Sequence, residues 1–431
     1  MAAATELQSD IERAMRRPKG AWVRMSLMES TRFQLAGNPG LSRTAAYDED
    51  GRADILSDRA FEIARSEITS WTGYRETPLR ELPGLARALG IGRLYYKDES
   101  GRFGIGSFKA LGGAYAVFRL IQKEIERATG KCVHASDILS GAHKDVTLRI
   151  TVTCATDGNH GRSVAWGAQM FGCRCVIYVH ASVSEGRCNA IARYGAEVRR
   201  VSGNYDDAVR QADQDARANG WFVVSDTSYE GYVSVPRDVM QGYSVMADEA
   251  LRQMPSPPTH VFVQGGVGGL AASVCAHLWQ RYGGKRPVYV VVEPEKADCL
   301  YRSAVAGRPT VVHGALDTIM AGLACGEVSL LAWKILQPGA DAFMTVTDEA
   351  AAEMMRILAS GRFDDRPIVS GESAVAGLVG LALAATDQDA RARLALGPDS
   401  IALVIGTEGA TDEEVYRQIV GRTAEQVRAA A

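Results

Sequence analysis

No two of the eight cysteines form a Cys-x-x-Cys pair, and no cluster of the seven histidines accompanies them. That excludes the usual zinc spacings. The N-terminal stretch "MAAATELQSDIERAMRRPKG" lacks the apolar segment of a signal peptide, so it reads as a cytoplasmic start. A disulfide scaffold is not expected in a long chain of that kind, and most cysteines read as small buried fillers. Cys173 and Cys175 share a face of a strand rather than forming a redox pair. No apolar run is long enough to span a membrane. There is no long block of like charge, and the formal net charge is only -3. Neither a nucleic-acid surface nor a polybasic membrane patch is therefore expected. Internal repeats and low-complexity segments are also lacking.

What is present is ordinary globular material in quantity. The 431 residues are 46% hydrophobic and 23% charged, enough for two or three cored units. Short β-rich runs alternate with helical patterns. The strand-like runs are "LRITVTCA" (148–155), "CRCVIYVH" (173–180), "EVRRVSG", "WFVVSD", "THVFVQ" (259–264), "PVYVVVEP" (287–294) and "SIALVIGT" (400–407). Alternation of this kind predicts an α/β fold with open, mostly parallel sheets flanked by helices. The strands fall into two groups, before and after about residue 235, which predicts two domains.

Four segments carry chemistry. In "GIGSFKALGG", Lys109 stands between a glycine-rich loop and a small, apolar run. A desolvated lysine amine can form an imine with an aldehyde cofactor. The plainer reading is a lysine snorkelling from a helix start. Ser107 and the following glycines argue against that, because they would leave room for a flat ring. "TDGNHG" (156–161) offers amides, a hydroxyl, an amide side chain and a carboxylate after a strand, although Asp157 and Asn159 also suit turns and caps. "GGVGGL" (265–270) sits between a strand and a helix, where backbone amides suit a phosphate. In "IGTEGATD" (405–412), Thr407 can reach a heterocycle nitrogen, and Thr411 with Glu414 fits a helix cap.

The third segment has a rival reading. Gly266 to Ala271 also fits G-x-G-x-x-A, and Glu293 ends the next strand, where a ribose-binding acid would belong. An NAD-dependent dehydrogenase is thus an alternative.

Taken in order, the four segments resemble the fold-type II pyridoxal-phosphate enzymes, the tryptophan synthase β-like family. Those enzymes carry Ser-Phe-Lys with the Schiff-base lysine, an S-x-G-N-H-G loop, a G-G-x-G-G phosphate cup and a late serine or threonine. The nicotinamide reading explains one segment and the resemblance all four. A closer resemblance, to the diaminopropionate ammonia-lyase family, rests on "RFGIGSFKALGGAYA" (102–116), "ATDGNHGRSVAWGA" (155–168) and "DTIMAGLACGEVSLLAWKIL" (317–336). "SDTSYEGY" and "MQGY" support it. Gly106 departs from the asparagine frequent there, and the polar stretch 129–147 reads as a family insertion or a local loop.

The resemblance implies a two-domain lyase with 1–113 and 236–431 in the larger, cofactor-binding unit and 114–235 in the smaller, mobile one. It implies pyridoxal 5'-phosphate as cofactor, a homodimer, and a small amino acid as substrate, in amino-acid catabolism. Lys109 would hold the cofactor and serve as base, with Asp226 as a second base. Phe108, Asn159, Gly265, Gly266, Val267, Gly268, Gly269 and Thr407 would complete its seat. Serine and threonine dehydratases usually have serine where this chain has Asp157. A carboxylate there would repel a substrate carboxylate but attract an ammonium, which suits 2,3-diaminopropionate. A dehydratase-like lyase and a non-catalytic pyridoxal-phosphate-binding protein remain alternatives. For Asp226 the plainer reading is a turn cap to Thr227 or Ser228.

Overall fold

The computed structural model describes residues 32–431 apart from 157 and 182. Its strands form two sheets. Taken in chain order they are β1 (Gln34–Gly37), β2 (Leu79–Glu81), β3 (Arg93–Asp98), β4 (Thr151–Ala155), β5 (Arg174–His180), β6 (Glu197–Val201), β7 (Phe222–Val223), β8 (His260–Gln264), β9 (Val288–Pro294), β10 (Ala342–Val346) and β11 (Ile401–Gly406). The larger sheet has seven strands in the order β1-β10-β9-β8-β11-β3-β2, and the smaller has four in the order β6-β5-β4-β7. The five inner strands of the larger sheet run parallel, with β1 and β2 antiparallel at its edges. The smaller sheet is wholly parallel.

The sequences of β8 and β9 explain their place. "HVFVQ" and "VYVVVEP" are near-continuous β-branched and aromatic runs, as strands covered on both faces must be. Successive residues alternate between two cores. Val261, Val263, Tyr289 and Val291 join one cluster with Leu111, Val239, Met246 and Trp279. Phe262, Val290 and Val292 join the other with Met354, Leu378 and Leu381. The first run, "LRITVTCA", begins pairing only at Thr151, and Leu148 is exposed. All eight cysteines are free, and five are buried.

The helix Lys109–Thr129 lies between the helices Asn159–Phe171 and Ser234–Gln253. Its glycines set how closely. A Cβ on Gly113 would stand 1.9 Å from Ser163 Oγ, and one on Gly112 would stand 2.4 Å from Tyr243 Cε1. The expectation that these glycines make room for a ring is therefore corrected: the space beside them is filled by neighbouring helices.

A second contribution of sequence to placement is a buried ion cluster. Lys97, on β3, lies 2.8 Å from Glu249, on the helix Ser234–Gln253. Arg102 reaches both Glu249, at 2.7 Å, and Glu99, at 2.8 Å. All four side chains are essentially inaccessible to solvent. Buried charges persist only when paired and hydrogen-bonded. The cluster thus pins the turn Glu99–Gly104, which leads into Lys109.

Candidate active site

Lys109 is the first residue of its helix, and its own amide donates to Ser107 Oγ at 3.3 Å. Its Nζ lies 2.5 Å from Asp226 Oδ2. Nζ also stands 5.5 Å from the Phe108 ring centre and 5.9 Å from that of Tyr243. Burial alone would lower the lysine, but the Asp226 carboxylate outweighs it and holds the amine well above its ordinary value. Burial would likewise raise Asp226, yet the charge of Lys109, helped by His160, holds it well below the usual carboxylate range. The Asp226 side chain is therefore on Lys109 rather than capping a turn: the Thr227 amide donates to Ser225 Oγ instead, at 3.2 Å.

His160 backs this pair. Its Nδ1 is 3.7 Å from Asp226 Oδ2. Its Nε2 lies 2.8 Å from the Val224 carbonyl, so Nε2 carries the hydrogen and donates. Burial keeps this imidazole below its ordinary pKa, against the pull of Asp226. Tyr243 packs on Phe108 with ring centres 4.6 Å apart. Sequence reasoning gives neither His160 nor Tyr243 a role, although both lie inside the quoted stretches "TDGNHG" and "MQGY".

The four segments converge on this pair. The Phe108 amide donates to the Thr407 carbonyl at 3.0 Å, and Ser107 pairs with Glu408 as an isolated bridge. Asn159 Nδ2 donates to Glu408 Oε2, and Asn159 Oδ1 accepts from Arg162 at 2.7 Å. Gln264, the last residue of β8, donates to the Ile405 carbonyl at 2.7 Å and lies 3.5 Å from Thr407 Oγ1. Thr411 does not cap the following helix: Asp412 does, accepting from the Val415 amide at 3.3 Å. Asp157 lies outside the described residues.

The glycine loop 265–269 closes the site. Gly268 has φ +97°, and a Cβ there would press on Ala332 at 3.0 Å. A Cβ on Gly265 would meet Glu293 Cγ at 2.6 Å. Side chains are thus disfavoured at Gly265 and Gly268, and the helix Gly269–Tyr282 begins where the loop ends. The first amides of a helix lack intrahelical acceptors and face a favourable dipole for an anion. The loop is continuous with the lysine site, since the Asp226 carbonyl lies 3.8 Å from where a Gly269 Cβ would be. A phosphate-bearing aldehyde fits these residues, with a cradle for its anion and an amine for its carbonyl.

Glu293 does not fit the dinucleotide reading. It is fully buried, and its two oxygens accept from the Leu300 amide at 3.1 Å and the Tyr301 amide at 2.7 Å. Burial pushes its carboxyl up to about 8. It supports the loop and the next helix, and no oxygen is turned toward a ribose.

Residues 71–407 match the family of pyridoxal-phosphate dependent enzymes. The chain belongs to that family, and pyridoxal 5'-phosphate is its cofactor. Within it, the chain is 42% identical over 374 residues to diaminopropionate ammonia-lyase from Escherichia coli (strain K12), covering 85% of this chain and 92% of that one. It is 41% identical over 364 residues to the Salmonella typhimurium (strain LT2) protein of that name, covering 81% and 90%. The crystal structure of the Escherichia coli enzyme in complex with D-serine matches with a TM-score of 0.82 at 38% identity, over 93% of this chain and 99% of that chain. The closer family is therefore the diaminopropionate ammonia-lyases. Among the described residues no helix is long and apolar enough to cross a membrane.

Proposed function

We propose that this chain eliminates ammonia from 2,3-diaminopropionate, giving pyruvate and two ammonia molecules with the uptake of one water. The observation that carries this reading is the Lys109–Asp226 pair, 2.5 Å apart beside the glycine-rich loop 265–269, in a chain this similar to diaminopropionate ammonia-lyases. Bound here, the cofactor supplies an electron sink for the pair left on the substrate α-carbon.

The protein's own groups do the rest. Lys109 would hold the cofactor through its aldehyde, and its free amine would take the α-proton of the L-substrate. Asp226 is the second proton acceptor, serving the D-substrate. Asp157 holds the β-ammonium, the feature that separates this substrate from a hydroxy amino acid. Gly265, Gly266, Val267, Gly268 and Gly269 bind the phosphate through backbone amides. Asn159 would hold the ring oxygen, Phe108 would seat the ring, and Thr407 would hold the ring nitrogen. The α-proton is moved inside a cleft where Lys109 and Asp226 are each less than a fifth exposed, so water competes little for it.

The two units are 1–113 with 236–431, and 114–235. The sheet memberships support this division: strands of the larger sheet lie within 34–98 and 260–406, and strands of the smaller within 151–223. The enzyme works as a homodimer in the cytoplasm. Pyruvate release measured across D- and L-diaminopropionate, serine and threonine tests the reading. Turnover of diaminopropionate well above serine supports it, and the reverse order makes the chain a dehydratase.

A further inference from the structure

Glu408 lies one residue beyond Thr407, and nothing above gives it a task. It is 4% exposed, and both of its carboxylate oxygens are used. Oε2 accepts from Asn159 Nδ2, and Thr411 Oγ1 stands 3.5 Å from the same oxygen. Oε1 accepts from the Ser373 amide at 3.2 Å. On the other side of Asn159, Arg162 donates to Oδ1 at 2.7 Å. Beyond the carboxylate, Arg187 pairs with Glu372 at 3.0 Å.

The chemistry of these groups leaves the Asn159 amide one orientation. A guanidinium only donates, and a carboxylate only accepts. The amide oxygen must therefore face Arg162 and the amide nitrogen must face Glu408. One N–H of that nitrogen goes to Glu408, and the other has no hydrogen-bond partner among the described residues. We propose that Glu408 is a positioning residue for the cofactor ring, locking the Asn159 amide so that its remaining N–H is offered to the ring oxygen. This rests on Asn159 contacting that oxygen, as proposed above. A donated hydrogen bond favours the ionised oxygen over the protonated one, so the lock sets the electronic state of the ring.

The lock has an unusual signature. In Glu408→Gln the shape is kept, but glutamine has one accepting and one donating end. If its oxygen keeps the Ser373 amide, its NH2 confronts the Asn159 nitrogen. Turning Asn159 over relieves that contact but points its NH2 at Arg162 and its oxygen at the ring. Glu408→Ala removes the acceptor and imposes no such conflict, so Arg162 still holds the amide. Glutamine should thus be the more harmful change, the opposite of what a packing role predicts.

The test uses the cofactor-free protein reconstituted with pyridoxal 5'-phosphate, reading affinity by titration and ring state by the visible absorption. Circular dichroism checks that each variant is folded. Glu408→Gln is expected to weaken binding about ten-fold, the scale of one charge-assisted hydrogen bond, and to move absorbance from the longer- to the shorter-wavelength band. Glu408→Ala is expected to do less of both. In an Asn159→Ala background, Glu408→Gln should add nothing. A parent-like Glu408→Gln overturns the proposal, as does an alanine more harmful than glutamine, or a full Glu408→Gln effect without Asn159. An Asn159→Ala protein with parent-like affinity and spectrum overturns the ring contact itself, and the lock with it.

Discussion

Lys109 Nζ and Asp226 Oδ2 are 2.5 Å apart, although 117 residues separate them in the chain. The start of one helix and the loop after β7 meet at a single ion pair. Its first consequence concerns the lysine. Nothing else among the groups described around Asp226 is an amine: His160, Tyr243, Cys154 and Tyr232 are its other neighbours. Lys109→Ala should abolish the covalent link to the cofactor and its visible absorption, leaving at most weak binding through the glycine loop. A spectrum unchanged from the parent would move the attachment elsewhere.

The pair also predicts how fast the cofactor attaches. Imine formation needs the neutral amine. Asp226 raises the Lys109 pKa, and burial lowers it. Asp226→Asn removes the raising partner, so the amine loses its proton at lower pH. The rate of reconstitution with pyridoxal 5'-phosphate, plotted against pH, should shift down by about 1–3 units, the range for losing an adjacent opposite charge. Stability gives the matching sign. The depressed Asp226 carboxyl stabilises the cofactor-free fold above its unfolded value of about 3.9, and that contribution fades as pH falls. The raised Lys109 amine stabilises below about 10.4, and its contribution fades as pH rises. Asp226→Asn should therefore cost most stability between those limits. Stopped-flow absorbance and denaturant midpoints across pH check both parts.

Much of this is legible in residue order. β5, β8, β9 and β11 are apolar, β-branched runs, and the pattern of such runs alone marks them as buried parallel strands. Lys109 is legible because a lysine among small apolar residues is chemically out of place. β3 is not, because "RLYYKD" ends in two charged residues that look like surface. Only the fold shows Lys97 facing Glu249 across 152 residues. His160, Tyr243 and Glu408 escape notice for a related reason. Each acts by touching a residue distant in sequence, and spacing along one segment carries no trace of that. Gly112 and Gly113 mislead because a glycine pair looks alike whether a ring or a helix fills the space beside it.

The glycine loop yields a steric prediction. Gly268 combines φ +97° with no room for a Cβ beside Ala332. Gly268→Asp strains the backbone and sets a negative charge where the phosphate anion is bound. Cofactor affinity should fall by at least about a hundred-fold, since two or more charge-assisted hydrogen bonds are lost. Titration of the cofactor-free variant measures it, and wild-type affinity would place the phosphate outside the loop.

The buried ion cluster predicts a large stability loss away from the chemistry. Glu249 sits between Lys97 and Arg102, and burial opposes its charge. The two cations outweigh that and hold its carboxyl well below the usual range. Glu249→Gln leaves two buried cations facing Glu99 alone. Breaking such a cluster should cost about 3–5 kcal/mol, read as a lower denaturant midpoint. The difference from the parent should be full above pH of about 4.3 and shrink as pH falls below it. A loss under about 1 kcal/mol would show that the cluster is solvated rather than buried.

Stereochemistry gives the sharpest test of Asp226. D- and L-substrates present the α-proton to opposite faces of the cofactor ring, so one base cannot stand on both sides. Lys109, once released, serves its own face. Asp226 is the carboxylate assigned to the other face, and the charge of Lys109 keeps it ionised at neutral pH. Asp226→Asn preserves shape and much of the hydrogen bonding while removing the base. Turnover of D-diaminopropionate should drop by about a hundred-fold or more, the scale of a lost general base. The L-isomer should lose much less, because its proton goes to Lys109. Measured kcat for both isomers, on variant and parent, decides the matter. Equal losses would mean that Asp226 acts only by holding Lys109, and the second base would then have to be sought among other residues lining the cleft.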